Sequence, residues 1–160
     1  MVRSTFFSRF QEWLSEWDET KTRQSLIVVL AVLIGLLVGL IIYTGINYFF
    51  LGPLTDMRDK EQLVAIYKTM TLADFIPDVV AWVSGTLAGG YTAVRIAKLG
   101  QFPAWIVGVL LFAFYAVGMV GLPNPIWFVL LCPASVAACA YGAGWLGMYI
   151  TVQREIKAQA

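Results

Sequence analysis

The sequence predicts an all-α integral membrane protein: a four-helix bundle with an N-terminal amphipathic interfacial helix and a short loop helix between spans one and two. Three observations predict it. From Leu99 to Gln153 the chain runs 55 residues without Asp, Glu, Lys or Arg, and about 20 apolar residues of helix cross a bilayer core of about 30 Å. The run therefore holds two crossings, with Leu122-Pro123-Asn124-Pro125 near its middle as a turn between antiparallel helices. A second long apolar segment lies between Ser25 and Leu51. Finally, 59% of the 160 residues are apolar and only 13% charged, against about 25% charged in soluble domains.

These numbers exclude several function classes. A net charge of +1 without a basic tract gives no footing for nucleic acid. The chain has no histidine, so imidazole-ligated haem, most zinc sites and a histidine general base are absent. Cys132 and Cys139 lie roughly 10 Å apart along one helix, too far for a disulfide, and read as packing residues. No cofactor is expected. The first apolar stretch exceeds the usual 7–15-residue core of a signal peptide, so it reads as an uncleaved span.

Taken in order, residues 4–20 place Phe6, Phe7, Phe10, Trp13, Leu14 and Trp17 on one helical face. Such an aromatic stripe beside a span predicts a helix lying in the membrane interface, with Phe6, Phe10, Trp13 and Trp17 as anchors to lipid or to a partner subunit. Span one covers about 25–51. Its Ala31, Gly35 and Gly39 recur every fourth residue as a smooth strip for close helix approach, and Tyr43, Tyr48, Phe49 and Phe50 form an aromatic belt at its far end. Gly52-Pro53 stops it. Thr55 then caps a loop helix over about 55–70, whose Leu63, Ile66, Tyr67 and Met70 share a face; it rests on the membrane or covers the outer mouth of the bundle.

Span two, about 75–97, is the least apolar, with Asp78 and Arg95 near opposite interfaces. Pro77 suits its first turn, and Gly85, Gly89 and Ala93 form a second small strip. Span three covers about 102–121. Span four covers about 126–150, carries Ala140, Gly144 and Gly147 as its strip, and contains Pro133, which predicts a kink. Four spans put Arg3, Arg9, Lys21, Arg23, Arg95, Lys98, Arg154 and Lys157 on one side and Arg58, Lys60 and Lys68 on the other. That excess places both termini in the cytoplasm.

The stretch from Leu51 to Leu146 carries Gly85-Thr86-Leu87-Ala88-Gly89-Gly90, Ala93, Arg95-Ile96-Ala97, Pro123-Asn124-Pro125-Ile126-Trp127-Phe128, Pro133 and Gly144. It resembles a widespread family of small, uncharacterised four-span bacterial membrane proteins, with the Pro-x-Pro-x-Trp-Phe element the most specific part. The resemblance implies four spans and a bacterial inner membrane, and brings no activity. Relatives often carry histidine where this chain has Asn124 and Trp82, so no imidazole chemistry transfers.

Asp78 is the leading chemical candidate. It falls within about 20° of Gly85 and Gly89 on the helical wheel, and an acidic group on a packed face near the membrane boundary is a functional hypothesis by default. Asp74, one turn earlier, is a second candidate cation ligand. The competing reading makes Asp78 a first-turn residue favoured by the helix dipole. Arg95, about 25 Å away along the helix, snorkels to headgroups instead of pairing with Asp78. Ser84 and Ser135 lack a base, so serine catalysis has no support. The expected role is a non-catalytic accessory or scaffolding subunit packing against a larger membrane complex. The alternative is a homo-oligomeric transporter or channel for small solutes or lipid. A membrane enzyme using Asp56, Asp59 and Glu61 has the least support.

Overall fold

The computed structural model describes residues 19–51 and 60–159. The interfacial helix with Phe6, Phe10, Trp13 and Trp17, and the Thr55 cap, lie outside the described residues. Every element among the described residues is helical: α1 (Glu19–Leu51), α2 (Lys60–Thr69), a 3-10 turn (Leu72–Phe75), α3 (Ile76–Ala97), α4 (Phe102–Met119) and α5 (Ile126–Gln159).

The apolar segments end where backbone chemistry ends them. Pro77 and Pro103 sit in the first turns of α3 and α4, where a missing N–H costs no intrahelical bond. α3 stops at Lys98, which adopts a left-handed conformation (φ 54°) and donates its N–H to the Val94 carbonyl at 2.9 Å. Between α4 and α5 the chain turns at Gly121 (φ 88°). There Asn124 braces the hairpin, its Nδ2 donating to the carbonyls of Met119 (3.3 Å) and Leu122 (3.4 Å).

Two boundaries differ from expectation. α1 begins at Glu19, inside the stretch assigned to the interfacial helix and six residues before the expected start of span one. The intervening Glu-Thr-Lys-Thr-Arg-Gln holds neither Pro nor Gly, so nothing interrupts helical bonding, and Ser25 Oγ donates back to the Lys21 carbonyl at 3.0 Å. α5 runs 34 residues, through Pro133 and nine residues past the expected end at Ile150.

α1, α4 and α5 each contain a segment long and apolar enough to cross a membrane. α3 has the length, 22 residues, but Pro77, Asp78, Ser84, three glycines and Arg95 dilute its apolarity. α3 instead occupies the middle of the bundle and packs on α1, α4 and α5. Its buried residues, among them Ala81, Trp82, Gly85, Thr86, Gly89 and Gly90, are mostly small. By contrast the outer face of α1, with Leu26, Leu30, Leu33, Leu37 and Ile41, is exposed.

Candidate functional site

The site is built on the seam between α1 and α3. A methyl group placed on Gly35 would come within 2.6 Å of the Gly89 carbonyl oxygen, and one on Gly89 within 2.5 Å of the Gly35 carbonyl oxygen. The pair Gly39 and Gly85 repeats this one turn on, at 2.9 and 2.8 Å. The two small strips thus face each other in antiparallel register, and the fully buried Ala31 and Ala93 complete the series. The third strip serves a different neighbour at each position. Ala140 meets Gly108 of α4, Gly144 meets Gln101, and Gly147 meets Val94 of α3.

Follow the seam two turns beyond Gly39 on α1 and it reaches Asn47; two turns back from Gly85 on α3 lies Asp78. The close backbone approach ends there, and large side chains take over. Trp82 stacks on Tyr115 of α4 (ring centroids 5.3 Å, 21° between planes) and on Phe128 of α5 (5.0 Å, 27°). Tyr115 also packs on Tyr43 of α1 at 4.4 Å. Phe75, from the 3-10 turn, joins Phe128 (4.7 Å), Trp127 (5.7 Å) and Tyr67 of α2 (6.1 Å). Each element of the bundle contributes an aromatic ring to this end.

Beside these rings lies a cavity of about 110 Å³. Its walls are Tyr43, Tyr67, Asp78, Trp82, Phe114, Tyr115, Gly118 and Met119, drawn from α1, α2, α3 and α4. Asn47, one turn past Tyr43, stands beside the Asp78 carboxyl. Asp78 is half-buried. Tyr67 brings the inner face of α2 over the cavity. Burial, then the nearby Asp78 and Tyr43, push its phenol up to about 12, so it stays neutral and able to donate at ordinary pH.

Buried polar groups ordinarily find partners. Among the described residues, Asn47 Oδ1, Trp82 Nε1, Thr86 Oγ1, Tyr115 Oη and Asn124 Oδ1 are buried without one. Trp82 and Tyr115, each 3% exposed, belong to the cavity wall, and Asn47 adjoins it. Two of the five unpartnered atoms thus lie in residues of the cavity wall, and a third stands next to it. We have no physical account of the lone hydroxyl of Thr86.

Asp74 is placed differently. It is exposed, and its Oδ2 accepts from the Thr71 N–H at 2.6 Å and the Thr71 Oγ1 at 2.7 Å. These bonds hold its carboxyl below the usual carboxylate range. Asp74 and Asp78 do not converge on one space: Asp78 lines the cavity and Asp74 fastens the turn before α3. Because the folded value is depressed, the contribution of this fastening is complete above the unfolded carboxylate value of about 3.9 and is lost as pH falls through the lower folded value. The Thr71 amide resonance is expected to titrate with a midpoint below that of an ordinary aspartate, and to stop titrating in that range in Asp74→Asn. A midpoint at the ordinary value would show that the carboxylate is not held.

Arg95 rests over the Tyr91 ring, 5.8 Å from its centroid. Cys132 and Cys139 are both buried and free. Among the described residues, no cluster of three His, Cys, Asp or Glu side chains is placed to hold a metal ion. Sequence reasoning singled out Asp78, but not Asn47 or the convergence of Tyr43, Tyr67, Trp82 and Tyr115 around Asp78. The signal present in the sequence was the small strip on each of α1 and α3, which marks the faces that meet. Comparison with known proteins returns no matching family, no matching characterised protein and no matching solved structure.

Proposed function

We propose that the chain crosses a bacterial inner membrane four times, with both termini cytoplasmic, as a non-catalytic subunit that packs against a larger membrane protein. In this reading α3 is the fourth crossing. Its 22 residues extend about 33 Å, enough for a hydrocarbon core of about 30 Å, and its polar and small side chains are spared lipid by three neighbouring helices.

The observation that supports a subunit role is an apolar groove of about 130 Å³ between α4 and α5. Gly108, Ala137 and Ala140 keep it shallow-walled, and Trp105, Phe112 and Pro133 border it. Next to it α5 exposes Ala134 and Ala138. Outward small residues let a second helix approach closely, which lipid tails do not require. The leucine face of α1, in contrast, is suited to lipid.

The test is purification of the full chain in native-lipid particles, followed by mass analysis. A second membrane protein at fixed stoichiometry is expected. Ala137→Trp, which fills the groove from an exposed position, is expected to release that partner while leaving the melting temperature of the bundle unchanged. A lone monomer would overturn the reading. Copies of this chain alone would favour the homo-oligomeric transporter or channel, a second reading to which the cavity beside Asp78 also gives some support.

A further inference from the structure

The cavity at the end of the α1–α3 seam brings together a carboxylate, orphaned hydrogen-bonding atoms and aromatic walls. Among the described residues, no Lys or Arg borders it. A carboxylate drawn partly out of water without a cation is costly, and so is each buried group left unpaired. A small positively charged guest would offset the first cost and supply Tyr115 Oη with a donor.

The lining restricts which guest. A primary ammonium group presents three N–H donors and no acceptor. The cavity offers acceptors for them in the two oxygens of the Asp78 carboxylate and in Tyr115 Oη, with Asn47 beside Asp78. Tyr115 Oη lacks any partner among the described residues. Aromatic rings attract such a cation through their negative faces; Trp82 is stacked on both sides, which leaves Tyr43, Tyr67 and Phe114 as the lining rings with a face to offer. Phe114 and Met119 add apolar surface for a short hydrocarbon tail. A cavity of about 150 Å³ holds benzene, so about 110 Å³ suits a guest of a few heavy atoms. A bare alkali ion would find the oxygen ligands but leave the apolar wall unused.

We propose that this cavity binds a small protonated primary amine, with Asp78 as its counter-ion, Tyr115 as a further acceptor, Asn47 positioning the Asp78 carboxyl, and Tyr67 of α2 covering it. The inference goes beyond the subunit role and does not depend on it.

The test uses the full chain in lipid nanodiscs, with ethylammonium chloride as probe and sodium, potassium and tetramethylammonium chlorides at matched ionic strength. Ethylammonium is expected to raise the melting temperature saturably. Tetramethylammonium, which has no N–H to donate, should give a smaller shift, and sodium and potassium none beyond ionic strength. Asp78→Asn keeps the shape and removes the charge. Loss of a charge-assisted bond predicts roughly ten- to hundredfold weaker ethylammonium binding. Tyr115→Phe, which keeps the ring stacking, should weaken it by a few-fold to tenfold. Both variants must first show the parent's circular dichroism and elution, and Asn47→Ala serves in place of either that does not. The proposal fails if ethylammonium gives no saturable shift in the parent, if the folded variants respond as the parent does, or if sodium matches ethylammonium.

Discussion

Gly89→Leu is expected to leave the chain without a stable bundle, seen as loss of both a monodisperse elution peak and a cooperative melt in detergent. The reason is the distance at which α1 and α3 meet. Even the single methyl of Gly89→Ala would stand 2.5 Å from the Gly35 carbonyl oxygen and 3.2 Å from Val107 Cγ1. Alanine is favoured over glycine within a helix by about 1 kcal/mol, whereas overpacking costs about 1–3 kcal/mol. The obstructing atom is backbone oxygen, which has no rotamer to move to, so overpacking prevails and Gly89→Ala should lower the melting temperature. At Gly45 of α1, where no neighbour lies within 4 Å, the sign reverses. Gly45→Ala should stabilise by up to about 1 kcal/mol. The same sign at both positions would show that the strips do not meet as described.

Phe128→Ala is expected to cost about 3–5 kcal/mol, the range for emptying a buried aromatic site. Phe128 is 1% exposed and touches Phe75 of the 3-10 turn, Trp82 of α3 and its chain neighbour Trp127. A collapsing neighbour cannot fill the void cheaply, because Trp82 is already held against Tyr115 on its other side. Phe128→Leu should recover most of the loss, whereas Trp127→Ala, at a residue in partial contact with the outside, should cost much less. Denaturant titration in detergent, followed by near-UV circular dichroism, measures all three. Equal losses for Phe128→Ala and Trp127→Ala would remove Phe128 from the centre of this cluster.

How much of this was legible in the sequence depends on which force set each feature. The apolar segments of α1, α4 and α5 were legible because a bilayer imposes length and charge limits that composition reports directly. The starts at Pro77 and Pro103 were legible because a missing N–H is a local fact. The start of α1 at Glu19 was not, since a polar helix carries no apolar edge to mark where it begins. The small strips were visible on each helix, but their mutual pairing is a tertiary relation, and three strips allow more than one arrangement. Asp74 and Asp78 looked alike at one-turn spacing. What separates them is Thr71, whose two donors draw Asp74 outward, while Asp78 is turned toward rings contributed by three other helices. No pattern within a single segment encodes that convergence.

The dilute apolarity of α3 has a consequence for how the protein comes to be. In the four-span reading, a segment carrying Asp78, Arg95 and three glycines gains little from entering hydrocarbon alone, and backbone contact with Gly35 and Gly39 is what would retain it there. Those glycines lie in α1, which leaves the ribosome first and is apolar enough to remain in the membrane unaided. In the four-span reading, the order of synthesis thus presents the receiving surface before the segment that needs it. The same chain read from the other end, with α3 emerging ahead of α1, would offer the membrane a helix it has little reason to keep.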